Sequence, residues 1–238
     1  MKKGLSLPTG PIIDGQDVAT EKTFFTRNPA TGERLAEIHR AGPDEIDAAV
    51  AAARKAYLHW GARSPKERQK HLSNLLEVVR KSHDDLSRLI ALEQGKPVAE
   101  ARALDLVPAA DALRYLSRYT EELLATKPVD YEQILFAHKA ASYRYEPLGV
   151  IAVVTPWNFP FGIPMVELAA CLAAGNTVVI KPSPFPPLST LKLVEILRPV
   201  LPAGVLNAVS GGDELGAWIT ASPIPRKISF TGSIATGK

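Results

Sequence analysis

The chain has 238 residues, and 46% of them are hydrophobic, which suffices for a buried core and excludes a disordered protein. Its 28 basic and 25 acidic residues are too evenly balanced to indicate a nucleic acid as the partner. The five histidines are scattered along the chain and there is one cysteine, so no spacing typical of a metal site is present. We therefore expect a globular protein that binds neither nucleic acid nor metal.

The cysteine content and the N-terminal residues bear on the compartment. One cysteine cannot form an intramolecular disulfide and is typical of a reducing compartment. Residues 1–3 are followed by Gly4 and Pro8 instead of an apolar stretch, so this segment does not resemble a signal peptide. No apolar run approaches the ~18 residues of a membrane span. The sequence predicts a cytoplasmic protein without a membrane partner.

The first 128 residues predict a hairpin-rich entry followed by helices. Turn signals at Asp14-Gly15 and at Asn28 through Gly32 separate short apolar runs within residues 10–40. Apolar residues at helical spacing then follow, and their stripes indicate packing faces rather than functional surfaces. The predicted helices run from Pro43 to Trp60, from Pro65 past Val79, from about Asp84 to Gln94, and from Val98 to about Leu124.

The ends of these helices carry recognisable signals. Ser64 and Glu67 form a capping box with proline at the first helical position. Gly95 ends the third helix in the manner of a left-handed cap. Pro108 lies inside the fourth helix and predicts that it is bent or divided there.

Residues 129–147 change character and predict a hairpin or two strands that project from the domain. Their aromatic and apolar side chains stand among polar residues in a strand-like pattern. An amphipathic edge of this kind needs a partner. These side chains are Tyr131, Ile134, Leu135, Phe136, Tyr143 and Tyr145.

The stretch from Val150 to Pro184 predicts a strand, a helix and a second strand. The runs Val150–Val154 and Thr177–Ile180 are apolar on consecutive residues, which is typical of parallel strands covered on both faces. The intervening apolar segment has the length of a crossover helix and closes on Gly175, which predicts a left-handed cap.

The alternation of strands and helices continues to the last residues. We predict a helix over Ser189–Leu197, a strand over Val205–Val209, a short helix that Gly211 opens and that runs through Trp218, and a strand over Lys227–Phe230. The predicted fold class is α/β: a Rossmann-like open parallel sheet flanked by helices, with an N-terminal helical region and a projecting β-hairpin arm.

Ligands of such sheets bind at the carboxyl ends of the strands, so the residues after each strand are candidates for a site. After the first central strand come Thr155 through Pro160, in which two prolines bracket Trp157 and Asn158. Prolines fix the backbone where an ordinary turn favours glycine and small polar residues. After the second strand comes Lys181, whose ammonium group can meet an anionic or hydroxyl-rich ligand.

The motifs TPWNFP, LAAGNTVVIKPS and ISFTGSIATGK resemble those of the aldehyde dehydrogenase superfamily, and the resemblance extends from Asn28 to the last residue. It implies oxidation of an aldehyde to a carboxylic acid with NAD or NADP, through a cysteine thiohemiacetal, hydride transfer and hydrolysis of a thioester. The family's cofactor domain lacks the G-x-G-x-x-G fingerprint, which this sequence also lacks.

The resemblance also implies roles for particular residues. Asn158 would donate its amide to the oxygen of the tetrahedral intermediate. The simpler alternatives are a turn-capping Asn158, a Trp157 packed in the core and a solvated Lys181. The residues that would contact the cofactor are Thr155, Pro156, Trp157, Lys181, Ser183, Gly211, Phe230, Thr231, Gly232, Ser233 and Gly237.

By the same resemblance, the catalytic glutamate and cysteine belong downstream of Lys238. The expected organisation is an incomplete NAD(P)-binding domain over 1–128 and 148–238, an oligomerisation hairpin over 129–147 and no catalytic domain. We expect the full-length protein to be a homo-oligomer and this chain alone to be inactive. Cys171 lies mid-helix among apolar residues, which is typical of a buried hydrophobe rather than a nucleophile.

Several alternatives stay open at this point. Gly232 through Lys238 matches all but the last position of a Walker A loop, so a P-loop protein is one of them. A non-catalytic nucleotide-binding or structural fragment and a dehydrogenase that passes the acyl group to coenzyme A are others. Two positions depart from the family pattern: Glu167 stands where many members have lysine, and Pro184 stands where many NAD-specific members have glutamate. The second departure leaves the choice between NAD and NADP open.

Overall fold

The computed structural model describes residues 6–129 and 139–238. The chain begins with two antiparallel hairpins, as the turn signals predict. In the first, Asp14 and Gly15 both have positive φ, at 50° and 77°, which suits the tight turn between two-residue strands. The strands are β1 (Ile12–Ile13), β2 (Gln16–Asp17), β3 (Thr23–Arg27) and β4 (Arg34–His39).

Three helices follow, and their ends confirm the predicted caps. They are α1 (Pro43–Trp60), α2 (Pro65–Lys81) and α3 (His83–Gln94). The Ser64 hydroxyl accepts from the Glu67 amide at 3.2 Å, and the Glu67 carboxylate accepts from the Ser64 amide at 2.7 Å. This reciprocal pair and the first-turn acid lower the cost of starting α2. Gly95 ends α3 with φ at 76°.

The fourth predicted helix is divided, as Pro108 indicates. It consists of α4 (Val98–Glu100), a π-helical turn (Ala101–Leu106) and α5 (Val107–Leu123). Because Pro108 has no amide hydrogen, α5 can accommodate it in its first turn, after the wider π turn. The π turn contains Asp105, whose side chain is fully buried.

The part of the predicted hairpin that is described consists of one antiparallel pair of strands. Strands β5 (Lys127–Val129) and β6 (Ala141–Tyr143) pair antiparallel. The first strand begins two residues before the predicted start at residue 129. Tyr143 and Tyr145 are exposed, with their rings in edge contact at 5.9 Å. The other four aromatic and apolar residues of the prediction, within 131–136, lie outside the described residues.

The remaining elements alternate between strand and helix, close to the predicted bounds. The helix predicted to begin at Ser189 starts two residues earlier, and the short helix after Gly211 runs to Ala221 instead of Trp218. In order they are β7 (Val150–Val154), α6 (Gly162–Ala173), β8 (Thr177–Lys181), α7 (Pro187–Leu197), a 3₁₀ turn (Arg198–Val200), β9 (Leu206–Ala208), α8 (Glu214–Ala221), β10 (Lys227–Phe230) and α9 (Ile234–Gly237). Gly175 has φ at 90° between α6 and β8, as a left-handed cap requires.

One sheet organises the molecule, with strand order β10-β7-β8-β9-β1-β2. The first four strands are parallel, which confirms the predicted Rossmann-like sheet. The entry hairpin extends this sheet, because Ile12 of β1 pairs antiparallel with Ala208 of β9. The turn signals predict the hairpin itself, but no local signal indicates its pairing with β9.

Alternate residues of the parallel strands face two different cores. Ile151 and Val153 of β7 pack with the helices α2, α3, α5, α6 and α7, whereas Val150 and Ala152 pack with α1 and α8. In β8, Val178 belongs to the first of these cores and Val179 to the second. Both faces are therefore covered, which explains why these strands are apolar on consecutive residues.

Across residues 6–129 and 139–238, no helix is both long and apolar enough to cross a membrane. In the same part of the chain, no group of three or more His, Cys, Asp or Glu residues could hold a metal ion.

Candidate functional site

The carboxyl ends of the parallel strands lie side by side, joined by backbone hydrogen bonds. The Thr155 amide donates to the Lys181 carbonyl at 3.1 Å, and the Thr231 amide donates to the Val154 carbonyl at 3.1 Å. The Val209 amide donates to the Ile180 carbonyl at 3.0 Å. The segments that follow β10, β7, β8 and β9 are thus neighbours along one edge of the sheet. This edge carries all the residues predicted to form the site.

The segment after β7, residues 155–160, presents Trp157 and Asn158 outward. The Trp157 side chain is 61% exposed, so the core-packing alternative is wrong. Asn158 is exposed as well, and within the described residues its carboxamide has no hydrogen-bond partner, so the structure gives it no turn-capping bond. Thr155 is buried, and its Oγ1 atom also lacks a partner among the described residues. Both side chains can therefore bind a ligand without first giving up a bond within the described residues.

Lys181 lies at the end of β8 with 4% of its surface exposed, so the solvated alternative is wrong. Its ammonium group donates to the Pro182 carbonyl at 3.3 Å. Burial lowers the pKa of Lys181, while the charges of Asp213 and Glu214 oppose that shift. A buried ammonium group with one long hydrogen bond among the described residues has donors left for a ligand.

Two smaller residues complete this end of the site. Ser183 is buried, and its hydroxyl accepts from the Phe185 amide at 3.4 Å. Gly211 is buried beside Leu215, and a Cβ atom at that glycine would lie 2.5 Å from the Leu215 Cδ1 atom. Any side chain at this position would displace the Leu215 side chain. Pro156 is half-buried between Thr155 and Trp157.

The segment after β10 is open to solvent. Phe230 is 37% exposed, and Thr231, Gly232 and Gly237 are exposed too. Ser233 caps the one-turn helix α9, because its hydroxyl accepts from the Thr236 amide at 3.2 Å. The loop therefore presents backbone amides on an accessible surface.

A second group of residues lies behind the β7 exit, and the sequence reasoning missed it. Lys96 donates to the carbonyl of Asn158 at 2.9 Å and to the Asp105 carboxylate at 3.0 Å. The same carboxylate accepts from the amides of Phe161 and Gly162 at 3.3 and 3.0 Å. The sequence signal that could have revealed this group is an acid, Asp105, in the stretch just before Pro108 of an otherwise amphipathic helix.

Glu93 is also buried behind this edge. Its carboxylate accepts from the amides of Leu188 and Ser189, at the first turn of α7, and from the Ser189 hydroxyl at 2.7 Å. Burial raises the pKa of Glu93 to about 7, although the three donors favour the charged form. The carboxylate fixes the helix that begins just beyond the β8 exit.

The environment of Cys171 does not activate a nucleophile. Burial and the nearby charge of Glu167 raise the pKa of the Cys171 thiol to about 11, and the opposing charge of Lys227 is too weak to reverse this. A thiol with such a pKa holds almost no thiolate at neutral pH. Glu167 itself accepts from the Ser229 hydroxyl at 2.6 Å, which ties α6 to β10.

An apolar recess of about 350 Å³ lies between the β7 and β10 exits. Phe159, Ile163, Val166 and Leu104 line it, together with Glu167 and Thr231. Phe159, which lines the recess, directly follows Asn158 in the chain.

The model of the aldehyde dehydrogenase family matches residues 16–238 of the chain. Among solved structures, an NADP-dependent enzyme from E. coli is 35% identical with a TM-score of 0.91, covering 97% of this chain and 48% of that one. An aldehyde dehydrogenase from Bacillus cereus, solved as an NAD+ complex, is 33% identical with a TM-score of 0.89, covering 96% and 47%.

A third structure, PnpE from Pseudomonas sp. WBC-3 in complex with nicotinamide adenine dinucleotide, is 33% identical with a TM-score of 0.90, covering 97% of this chain and 47% of that one. The chain thus spans about half the length of the proteins it matches. The family model matches most of the sequence, and the fold is shared with proteins at these identities. The chain therefore belongs to the aldehyde dehydrogenase family.

Proposed function

We propose that this chain is the cofactor-binding part of an enzyme that oxidises an aldehyde to a carboxylic acid with NAD+ or NADP+. The observation that carries the proposal is the free carboxamide of Asn158, which is exposed at the strand exit on a backbone held from behind by Lys96. Fixed donors aimed at a developing oxyanion stabilise the transition state by ~3 kcal/mol each. Asn158 is the residue we assign to that role.

The residues at the sheet edge suit a dinucleotide. Lys181 offers a buried ammonium group with donors to spare, and Thr155 offers a buried hydroxyl oxygen without a partner among the described residues. Trp157 offers an exposed aromatic face beside them. We assign the Lys181 end to the ribose hydroxyls, with Ser183 and Gly211 next to it, because an ammonium group donates well to hydroxyl oxygens.

The open loop after β10 suits the pyrophosphate. Its backbone amides from Gly232 to Ala235 lie on an accessible surface at the start of α9, whereas those of Thr231, Thr236 and Gly237 are already bonded within the chain. Oriented amides of this kind favour an anion. Phe230, at the end of β10, lies at the same edge of the sheet as Trp157. When bound, NAD(P)+ supplies the hydride acceptor, and these residues hold and orient it.

The nucleophile and the general base of the reaction belong, in this proposal, to a part of the protein outside these 238 residues. The raised pKa of Cys171 and its packing against the core support assigning the nucleophile's role to another residue. Residues 1–128 and 148–238 would then form the cofactor-binding unit, and residues 129–147 the arm that joins subunits of a homo-oligomer. The exposed β5–β6 pair supports the arm's role, because exposed strand edges favour pairing.

The test is to express the longest natural reading frame that contains this chain and to follow reduction of NAD+ or NADP+ with a panel of aldehydes. We expect turnover and a carboxylic acid product. No reduction of either dinucleotide with any aldehyde would overturn the proposal. Running the reaction with and without coenzyme A separates the two kinds of dehydrogenase, because an acylating enzyme releases a thioester.

The 238-residue chain is the matched control. We expect it to oxidise no aldehyde, to bind dinucleotides weakly and to aggregate, because it lacks an activated thiol and leaves the edge of β10 open. Calorimetric titration with each dinucleotide, together with light scattering, measures both properties. A soluble monomer that binds NAD+ at low micromolar Kd would contradict this division of roles.

A further inference from the structure

The backbone after β7 is held by side chains from α3, from the loop that follows α3, from the π turn and from α7. Gln94, at the end of α3, donates to the carbonyl of Trp157, and Lys96 donates to the carbonyl of Asn158 at 2.9 Å. The two peptide groups on either side of the Asn158 Cα atom are thereby fixed by side chains from elsewhere in the chain.

The next peptide groups are fixed in the same way. Thr190 of α7 donates to the carbonyl of Pro160 at 2.5 Å. Asp105 of the π turn accepts from the amides of Phe161 and Gly162. Gly162 has no side chain, and a Cβ atom there would lie 3.1 Å from the Asp105 Cα atom, so this close approach favours glycine.

Lys96 is the centre of this arrangement. Its side chain is 10% exposed, and its ammonium group lies 3.0 Å from the fully buried Asp105 carboxylate. One cation therefore links the Asn158 peptide to the start of α6. It also lies 4.6 Å from the centre of the Phe159 ring. A buried, charge-assisted bond between two separate segments resists small displacements better than an exposed one does.

From this geometry we infer that Gln94 and Lys96 are positioning residues for Asn158. They touch neither the aldehyde nor the dinucleotide in the proposed function. They fix the peptide groups that set the direction of the Asn158 carboxamide, and a donor that is fixed before the reaction stabilises charge without reorganising. The part of this inference that concerns catalysis rests on the proposed function, whereas the part that concerns the backbone does not.

The test compares Lys96→Met with Lys192→Met. Lys192 is a matched control because it also pairs with a carboxylate, Glu195, at 2.9 Å and is 12% exposed, but its bonds do not reach residues 155–162. Amide hydrogen exchange of the peptide that contains Phe161, Gly162 and Ile163 is measured in each protein. We expect Lys96→Met to speed this exchange by about tenfold or more and Lys192→Met to leave it unchanged.

A double-mutant cycle supplies the second readout. In the active full-length enzyme, we expect Lys96→Met to lower kcat by about tenfold with KM nearly unchanged, and Lys96→Arg to recover part of that loss. In an Asn158→Ala background, Lys96→Met should have almost no further effect, because its influence passes through that carboxamide. Equal losses in both backgrounds would overturn the positioning role.

Lys96→Met leaves the Asp105 carboxylate buried without its cation, which can unfold the protein. Gln94→Met keeps the test open, since it removes an uncharged donor of similar length. Like Lys96→Met, it should speed amide exchange in the peptide that contains Phe161, Gly162 and Ile163, and it should lower kcat. Unchanged exchange in every folded variant would overturn the inference. Absence of aldehyde oxidation in the unmodified full-length protein would count against the proposed function. The exchange measurements alone would then test whether Gln94 and Lys96 fix the backbone at residues 157–162.

Discussion

The exits of β7 and β10 lie side by side on one edge of the sheet, yet the protein holds them very differently. Residues 157–162 after β7 are fixed by Gln94, Lys96, Asp105 and Thr190. Residues 231–237 after β10 are exposed, and the bonds that define α9 are local ones between Ser233 and its neighbours. One half of the site is held by bonds to distant segments of the described chain, and the other half is held by local bonds.

This difference agrees with the proposed roles of the two exits. A donor to an oxyanion gains from rigidity, because a displacement of about 1 Å is enough to lose much of its effect. A loop that receives a pyrophosphate through several amides can close on its ligand at a modest ordering cost. The exposed edge of β10 is the side on which the described sheet ends. Contacts that order this loop would therefore come from the ligand or from a further part of the protein.

The largest expected effect concerns Glu93, which anchors the start of α7, the helix whose Thr190 bonds the Pro160 carbonyl of the β7 exit. Its pKa in the folded protein is about 7, above its ordinary value of 4.5, so the folded state binds the proton more tightly than the unfolded state does. The free energy of unfolding should therefore fall as pH rises from about 4.5 to about 7, by roughly 3 kcal/mol in all. Urea denaturation at a series of pH values measures this slope, and Glu93→Gln should flatten it.

Glu67 provides a control, because its pKa is shifted in the opposite direction to that of Glu93. It caps α2 from an exposed position, and its bonds with Ser64 lower its pKa. Its contribution to stability is therefore present above its ordinary pKa and is lost as pH falls through the lowered value. Glu67→Gln should weaken the protein at neutral pH and leave the Glu93 slope in place. A slope that survives in Glu93→Gln would mean that another group titrates.

The second prediction concerns Asn158, the residue exposed at the β7 exit. In the full-length enzyme, Asn158→Ala should lower kcat by roughly a hundredfold or more and leave the affinity for the dinucleotide nearly intact, because the lost donor acts only on the developing oxyanion. Steady-state kinetics and dinucleotide titration measure the two quantities. Asn28→Ala, at an exposed turn, is the control. An effect confined to KM would contradict the role of Asn158.

The third prediction sharpens the contrast between the exits through ligand binding. In the full-length protein, NAD+ at about ten times its Kd should slow amide exchange at residues 231–237 by about tenfold, the limit set by mass action. The amides of Phe161 and Gly162, already bonded to Asp105, should change less. Hydrogen exchange followed by mass spectrometry compares the two peptides directly. Equal protection of both would show that the β10 loop is as fixed as the β7 exit before the ligand binds.

The smallest effect is expected at the thiol. Cys171 contacts the core behind both exits and has a raised pKa, so Cys171→Ala and Cys171→Ser should keep activity within about twofold of the unmodified enzyme. The serine variant should be the less stable of the two, because its hydroxyl would be partly buried. Activity assays and thermal unfolding test this. Complete inactivation with normal folding would show that the thiol takes part in the reaction.

Much of the architecture could be read from the sequence because it depends on local patterns. Consecutive apolar residues in β7 and β8 indicate strands covered on both faces. The Ser64–Glu67 capping box begins α2 through hydrogen bonds between residues close in sequence, and the positive φ of Gly175 ends α6. The exit motif with Trp157 and Asn158 is contiguous, so its position after a strand was predictable. These features need no knowledge of which distant segments meet.

The remaining features were decided by tertiary contacts between segments far apart in the chain. β1 joins β9 across nearly 200 residues, and Lys96 reaches the Asn158 carbonyl across 62. Lys181 is buried and Trp157 is exposed because of what packs around each, which no local pattern of charge or hydrophobicity records. Periodicity fixes the face that a residue occupies on its own element, whereas the partner that covers that face depends on the folding of the whole chain.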